Sequence, residues 1–278
     1  MTYSPGIYDD ISNEDYHADP ALSSSGARLL IKENPEVFRY RRTHPEHKDV
    51  YDFGTVAHSM VLEGKRGNVV EVKADNWRTK AAQDAKEQAR EDGQIAMLTK
   101  ELCIVKDMAA AIREHHDAMA LLRNGTPEMS AFYRDRESGV DLRTRFDWLP
   151  EIDTSRRLVI PDYKTAASAN PNKFAKSAAD YGFHQQDAWY TDTIKAMGLH
   201  DDVVMVFIVQ EKTAPYTVSI VQLSPLDVQR GRDLNRAAIY RFKRCTENDH
   251  WPGYEGITMV ELPVYSRYQE EEIIDAAA

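Results

Sequence analysis

Three charged residues have the types and spacing of a site for phosphodiester hydrolysis. Asp162 and Lys164 close a predicted strand that begins at Leu158, and Asp147 lies in the strand before it. Carboxylate oxygens hold Mg²⁺, which polarises a phosphoryl oxygen and activates water, and a nearby lysine orients the water or neutralises the developing charge. We therefore predict Asp147 and Asp162 as catalytic metal ligands and Lys164 as the catalytic lysine. The alternative is a solvated pair at a strand end, because an Asp-x-Lys alone is a weak signal.

Alternation along the predicted strands places these groups on common faces. Arg143, Arg145 and Asp147 project to one side of their strand, and the apolar residues between them project to the other. Asp162 and Lys164 likewise share a face. If the two strands pair, Asp147 and Asp162 converge on one cation. The two arginines are then better suited to bind backbone phosphates than to form buried pairs.

The pattern along the whole chain predicts a mixed α/β fold, with an antiparallel hairpin leading into a central strand and helices around the sheet. The first predicted helix begins near Ser24 or Ser25. Further helices are predicted over 53–63, over two segments within 79–120 that join at Asp92-Gly93, over 172–198, and from 225 to about 244. The predicted strands cover 131–135, 140–149, 158–164, 203–210 and 217–223. Residues 41–48 are predicted as a polar loop, and residues after 251 as irregular structure and a tail.

Composition limits the class of protein. With 278 residues, 42% of them hydrophobic, the chain can bury the core of one domain, which we predict over 1–278, with an N-terminal helical region at about 1–125 and a catalytic core at about 126–250. The net charge of −10 means that any DNA contact needs a local basic surface or bound cations. Cys103 and Cys245 are too far apart for a cysteine-ligated metal site. The absence of a membrane span or signal peptide predicts a cytoplasmic protein with no membrane partner.

The sequence resembles the PD-(D/E)xK nuclease superfamily, and within it the phage and prophage exonucleases of the RecE type, with lambda exonuclease and RecB-like domains as more distant relatives. The resemblance implies a restriction-endonuclease-like core. The matching stretches follow the family order and are 6–17, 21–25, 53–58, Arg145-Phe-Asp147, Pro161-Asp-Tyr-Lys-Thr165, His184-Gln-Gln-Asp-Ala-Trp-Tyr190 and Trp251-Pro252. Asp162 departs from the Glu-x-Lys form but agrees with the RecE-type members.

The resemblance implies further site residues. His58 stands at the first metal-ligand position, although a helical histidine beside apolar residues is otherwise most often packed and hydrogen-bonded. The backbone carbonyl of Tyr163 completes the implied ligand set. The resemblance implies that Gln186 is a catalytic residue that holds the scissile phosphate or the lysine. It implies that Tyr190 supports Gln186 and belongs to the DNA-binding residues. The alternatives are an amide at the solvent edge and a half-buried aromatic ring.

Three more residues are candidates on both grounds. Ser25 and Arg28 open a predicted helix, whose N-terminus is a good phosphate receptor, and the family reading is capture of a 5′-terminal phosphate. An ordinary N-cap is the alternative for Ser25. Glu128 precedes the first predicted strand, where it orients a metal ligand or its water, or is a plain loop charge.

The implied activity is 5′→3′ degradation of one strand of linear duplex DNA from its end, leaving a 3′ overhang. The implied cofactor is Mg²⁺, replaceable by Mn²⁺, with two ions per site. The implied partners are duplex DNA ends, a single-strand annealing protein of the RecT or beta type, and further copies of the chain in a ring. The alternatives are a RecB- or Cas4-like nuclease for single strands and a catalytically silent module that binds DNA ends.

Overall fold

The chain folds into strands and helices that alternate along its length. A computed structural model describes residues 2–44 and 49–277, without the side chains of residues 49–51. In the described residues the strands are β1 (Gly6–Tyr8), β2 (Leu22–Ser23), β3 (Val69–Val72), β4 (Ile95–Leu98), β5 (Gly125–Arg134), β6 (Asp141–Pro150), β7 (Leu158–Ala166), β8 (Val203–Glu211) and β9 (Val218–Val221). The helices are α1 (Asn13–Ala18), α2 (Ser24–Lys32), α3 (Pro35–Thr43), α4 (Asp49–His58), α5 (Lys80–Glu91), α6 (Thr99–Glu114), α7 (His116–Leu121), α8 (Pro171–Tyr181), α9 (Phe183–Ala196), α10 (Pro225–Asn248) and α11 (Val264–Ala277). A π-helical turn, Ser59–Glu63, continues α4.

Three sheets organise these strands. The first has the order β1-β5-β6-β2, and its centre is the predicted hairpin, in which β5 and β6 are antiparallel with Ser130 opposite Arg145. The second has the order β7-β8-β9, with β7 parallel to β8, and the third pairs β3 with β4. Within the described residues β6 and β7 therefore lie against each other in different sheets. The predicted convergence of Asp147 and Asp162 does not come from backbone pairing of their strands.

The sheet of β7 and β8 is covered on both faces, as is usual for parallel strands. Leu158 and Ile160 point into a core formed with β5, β6 and helices α2, α9 and α10. Tyr163 and Ile208 point the other way, into a second core formed with α4 and α6. Asp162 consequently continues a row of buried apolar side chains.

The segment 79–120 holds more than the two predicted helices. Ile95–Leu98 forms strand β4 between α5 and α6, and it pairs in parallel with β3. Only one of its four residues, Ile95, is β-branched, so its composition does not indicate a strand. The pairing with β3 supplies the stabilisation that local propensity lacks.

Other boundaries also differ from the predictions. The helix predicted over 172–198 is two helices, because Gly182 has a left-handed backbone (φ 69°) that ends α8. Helix α3 extends through Thr43 into the predicted polar loop, and residues 45–48 of that loop lie outside the described residues. Residues 264–277, predicted as an irregular tail, form helix α11. No helix within the described ranges has the length and apolarity needed to cross a membrane.

Candidate active site

Asp162 is a buried carboxylate on strand β7. Ile160 precedes it on the same face and is fully buried, so the predicted alternation is observed. Oδ1 of Asp162 accepts a hydrogen bond from Nε2 of Gln186 at 2.6 Å, and Oδ2 forms an ion pair with Nζ of Lys164. Burial, and then the charge of Asp147, raises the pKa of Asp162 to about 6. These two effects outweigh the positive charge of Lys164, which by itself would lower the pKa of Asp162.

Asp147 reaches the same place from strand β6. Its Oδ2 accepts the backbone N–H of Tyr163 at 3.0 Å and lies 3.6 Å from Nδ1 of His58. The hydrogen bond from Tyr163 crosses from one sheet to the other, so it holds the two strands together at the level of the carboxylates. Burial raises the pKa of Asp147, although the Lys164 charge and the Tyr163 N–H oppose the shift.

His58 ends helix α4 and supplies an imidazole next to these carboxylates. Its ring lies edge-on to Tyr163, with 5.1 Å between ring centres. Burial and the Lys164 charge lower the pKa of His58 to about 4, so the ring is neutral near pH 7 and able to bind a metal ion. The hydroxyl of Tyr163 donates to Gln210 at 2.5 Å and fixes that side chain away from the site. The Tyr163 carbonyl as a metal ligand stays a prediction.

Lys164 lies at the open side of the carboxylates. Its side chain is 21% exposed, and Nζ lies 5.2 Å from the ring centre of Phe183 in addition to its pairing with Asp162. The alternative of a solvated surface pair does not describe this arrangement, because Asp162 is fully buried. The ammonium group is instead held between a buried carboxylate and an aromatic face.

Glu128 is a strand residue that faces the site and is not a loop charge. It lies within β5, between the pairs Pro127–Trp148 and Met129–Phe146, and so next to Asp147 of β6. Its backbone is left-handed (φ 54°), a conformation that costs a non-glycine residue about 1 kcal/mol. Burial and the Asp147 charge raise the pKa of Glu128 to about 7. Whether it orients a metal ligand stays a prediction.

Glu63 is a cleft residue that the sequence pattern does not indicate. In an α-helix it would lie about 140° around the axis from His58, because each residue turns the helix by about 100°. The π-helical turn Ser59–Glu63 has wider hydrogen bonding, and both side chains line the same cleft. A π-helical turn has no sequence signature comparable to a cap or a glycine stop.

Arg143 is buried, which contradicts the prediction that it is not, and its contact with backbone phosphates stays a prediction. The residue is 6% exposed, and its guanidinium donates to three carbonyl oxygens at the end of α1. The acceptors are Tyr16, His17 at 3.3 Å and Asp19 at 2.7 Å. The last carbonyls of a helix lack partners within the helix, so a buried arginine is a stable partner for them.

Arg145 remains partly accessible and lines the cleft. Its Nε donates to the Ser130 hydroxyl at 2.9 Å and its Nη2 to the Ile11 carbonyl at 2.7 Å. The guanidinium carbon also lies 4.4 Å from the ring centre of Tyr16. Arg145 therefore attaches the N-terminal segment to the catalytic sheet, and its contact with DNA stays a prediction.

Gln186 and Tyr190 share a buried face of α9, as their spacing predicts. Gln186 is bonded to Asp162, whereas the resemblance implies the lysine or the scissile phosphate as its partner. The assignment of Tyr190 to DNA contact does not fit the structure, because the ring is 9% exposed. It packs edge-on against Phe146, with 5.2 Å between ring centres, so Tyr190 supports the site from within the core.

Ser25 and Arg28 lie in α2 but have different surroundings. Ser23 is the N-cap and accepts the Gly26 N–H at 3.2 Å, while Ser25 is exposed with its hydroxyl 3.1 Å from that of Ser23. Arg28 extends the other way and donates from Nη1 to the Tyr181 carbonyl at 3.1 Å. Ser25 lines a cavity of about 270 Å³ whose basic lining residues are His17, Arg41, Arg42 and Arg143.

A cleft of about 900 Å³ opens beside the carboxylates. Its lining combines acidic, basic, imidazole and aromatic side chains. These include Glu63 and Glu128, Arg145 and Lys212, His58, and the rings of Phe174, Tyr181 and Phe183. His17 lines both this cleft and the smaller cavity at Ser25, so the two are neighbours.

The chemistry of the site fits a divalent metal ion. Among the described residues no three His, Cys, Asp or Glu side chains already converge closely enough to hold one. The pKa values of Asp147 and Asp162 are nonetheless raised, so both carboxylates lie where more positive charge would stabilise their ionised forms. Carboxylate oxygens are the ligands of hard divalent ions, and a neutral imidazole is compatible with them. Asp147 and Asp162 would hold the ion, with His58 beside them.

The hairpin, the adjoining parallel strand and the carboxylates with a lysine define the PD-(D/E)xK class of nuclease fold. The chain belongs to the family described as "PDDEXK-like domain of unknown function (DUF3799)", whose model matches residues 23–262. This membership confirms the predicted superfamily and supports a nuclease that uses divalent metal ions.

The fold is also that of a solved structure. A crystal structure of a protein described as a "Putative exonuclease" from Eubacterium rectale aligns with a TM-score of 0.61 and 12% identity, covering 92% of this chain and 96% of that one. At that identity the likeness shows the fold alone, and it confirms the predicted α/β class. No curated protein matches the chain.

Proposed function

We propose that the chain is a Mg²⁺-dependent 5′→3′ exodeoxyribonuclease of the RecE type, which degrades one strand of linear duplex DNA and leaves a 3′ overhang. The supporting observation is the buried pair of Asp162 and Lys164 at the edge of a cleft, with Asp147 and His58 beside it. When bound, Mg²⁺ supplies a polarised phosphoryl oxygen and a water of lowered pKa. We propose two ions per site, with Mn²⁺ as a substitute.

Each side chain has a role that follows from its surroundings. Lys164 is a positive charge that is 21% exposed beside the buried carboxylate of Asp162, so it neutralises charge that develops on the phosphoryl oxygens. Gln186 holds Asp162 through a hydrogen bond of 2.6 Å and thereby orients the carboxylate. Glu128 lines the cleft on the strand next to that of Asp147, where it would orient the attacking water or a metal ligand.

The cavity at Ser25 is the proposed receptor of the 5′-terminal phosphate. The exposed Ser25 hydroxyl in the first turn of α2 and the basic groups of Arg41 and Arg42 line it. Arg28 contributes indirectly, since its guanidinium is committed to the Tyr181 carbonyl. A subunit ring and a partner that anneals single strands complete the proposed function.

Substrate choice tests the proposal. The protein is incubated with Mg²⁺ and each of three DNAs: a linear 5′-phosphorylated duplex, a single strand, and a closed circle. We expect loss of the linear duplex, with mononucleotides released from the 5′ end, and a far slower loss with Lys164→Ala. An intact linear duplex would support the silent DNA-end-binding module, and preference for the single strand would support the RecB- or Cas4-like nuclease. Cleavage of the circle would contradict an exonuclease.

Ser25→Ala tests the terminal phosphate. It should reduce the preference for 5′-phosphorylated over 5′-hydroxyl ends without lowering the rate on 5′-hydroxyl DNA. An unchanged preference would remove Ser25 from the receptor. Loss of rate on both ends would indicate damage to the fold.

A further inference from the structure

Tyr181 is an exposed aromatic ring at the outer end of a stack that starts in the core. Phe207 is fully buried, Phe183 stacks on it with ring centres 5.7 Å apart, and Tyr181 stacks on Phe183 at 5.8 Å. The interplanar angles are 28° between Phe183 and Phe207 and 26° between Tyr181 and Phe183, so each ring is inclined only moderately to its neighbour. Tyr181 is 66% exposed, so most of the outermost ring is accessible to a further planar group.

The backbone around this ring is held in place. The Tyr181 carbonyl accepts a hydrogen bond from Arg28 at 3.1 Å, and the Asp180 carbonyl accepts one from Lys32 at 3.2 Å. Gly182 has the left-handed backbone that turns α8 into α9, and a Cβ there would lie 3.0 Å from Cδ of Arg28. A ring held this way loses little conformational entropy when a ligand stacks on it.

The stack is next to the catalytic lysine. Nζ of Lys164 lies 5.2 Å from the ring centre of Phe183, which is the neighbour of Tyr181 in the stack. Tyr181 and Phe174 line the cleft from one face of α8, and Lys212 lines it from the loop after β8. A phosphate at Lys164 therefore has its own base, or that of the next nucleotide, within reach of Tyr181.

We propose that Tyr181 is a stacking platform for an unpaired nucleobase beside the scissile phosphate. A base in a duplex is already stacked on both sides, so the platform selects a strand end whose last nucleotides have left the duplex. Every base has a π-face, and the selection is therefore independent of sequence. This proposal rests on the proposed nuclease function and specifies how its substrate is bound.

The platform is consistent with the charge of the molecule. The chain carries a net charge of −10, so attraction between DNA and the bulk of the protein is weak. Stacking adds affinity that does not depend on net charge, and the two lysines at the cleft supply local positive charge for the backbone.

The test combines variants of the full chain with modified DNA. The variants are Tyr181→Ala, Tyr181→Phe and, as a control of equal exposure, Tyr268→Ala on α11, where the native ring is 64% exposed. The substrates are linear 5′-phosphorylated duplexes with 2-aminopurine, or an abasic site, at each of the first four positions of the 5′ strand. Binding is measured by 2-aminopurine fluorescence with Ca²⁺, and turnover is measured with Mg²⁺.

Stacking predicts a specific pattern. At one position the wild type and Tyr181→Phe should quench 2-aminopurine, and Tyr181→Ala should not. On normal DNA Tyr181→Ala should raise KM by about 5- to 150-fold, which is the range expected for one stacked base, while Tyr268→Ala behaves as the wild type. With an abasic site at that position, the KM of the wild type should rise by the same factor. The KM of Tyr181→Ala should not rise above its value on normal DNA.

The outcomes separate the two proposals. Active Tyr181→Ala with unchanged KM and quenching would refute the platform while the nuclease function stands. Position-specific quenching in a wild type that cleaves no DNA would support the platform and refute the nuclease function. If Tyr181→Phe is as impaired as Tyr181→Ala, the hydroxyl and not the ring matters, and stacking is refuted.

Discussion

Asp162→Asn is expected to stabilise the metal-free protein while it removes activity. The pKa of Asp162 is about 6 in the folded chain, raised by burial and by Asp147, against about 3.9 in an unfolded chain. The folded state binds the proton more tightly than the unfolded state. Asp162 therefore does not lower the free energy of unfolding below pH ~4, where it is protonated in the folded chain, and it lowers that free energy as the pH rises through ~6. The difference between the two pKa values corresponds to about 3 kcal/mol at pH 8.

Asparagine preserves much of the local structure. It has the size of aspartate and retains an oxygen that accepts the hydrogen bond from Gln186. The opposing loss is the ion pair with Lys164, whose side chain is 21% exposed and so remains hydrated. We expect the variant to exceed the wild type in free energy of unfolding by about 1–3 kcal/mol at pH 8 and to equal it near pH 4.

Urea unfolding in EDTA at pH 4, 6 and 8, followed by circular dichroism, measures the difference. Asp135→Asn is the matched control. Burial raises the pKa of Asp135, but hydrogen bonds from Arg236 and Ser138 have the larger combined effect and lower the pKa below its ordinary value. The Asp135 carboxylate therefore stabilises the fold at any pH above its unfolded pKa. The control should therefore be destabilised at pH 8. A wild type more stable than Asp162→Asn at pH 8 in EDTA, or a difference that does not change with pH, would refute the reasoning. Mg²⁺ should stabilise the wild type more than the variant.

Three further substitutions test the site. Lys164→Ala should lower kcat by about 10²- to 10³-fold with an unchanged circular dichroism spectrum, since it removes charge at the reacting phosphate; a kcat within tenfold of the wild type would exclude that role. His58→Ala should weaken Mg²⁺ binding about tenfold by calorimetry, and an unchanged titration would exclude the imidazole as a ligand. Arg143→Ala should lower the free energy of unfolding by about 3 kcal/mol, because three carbonyls lose their donor; an effect under 0.5 kcal/mol in urea would contradict this.

The catalytic strands could be predicted from sequence because each carries a strong local pattern. Alternation in 140–149 correctly predicts that Leu142, Thr144 and Phe146 of β6 are buried, but Arg143 on the opposite face is buried as well. Strand β4 could not be predicted, because its short apolar run forms a strand only through pairing with β3. Glu63 could not be placed beside His58, because its position depends on a π-helical turn.

The errors at the site have a common physical cause. Alternation shows that Arg143 and Asp147 share a face of β6, but it does not show what covers that face. In the structure the chain from Ile11 to Asp19 lies over β6, and its carbonyl groups accept hydrogen bonds from Arg143 and Arg145. The carbonyl groups that cover this face need donors, so Arg143 is buried and stabilises the fold, while Arg145 keeps part of its surface in the cleft. Among the positive charges at this site, that of Lys164 lies 5.2 Å from the ring centre of Phe183 in the aromatic stack, and that is where we expect the DNA strand to enter.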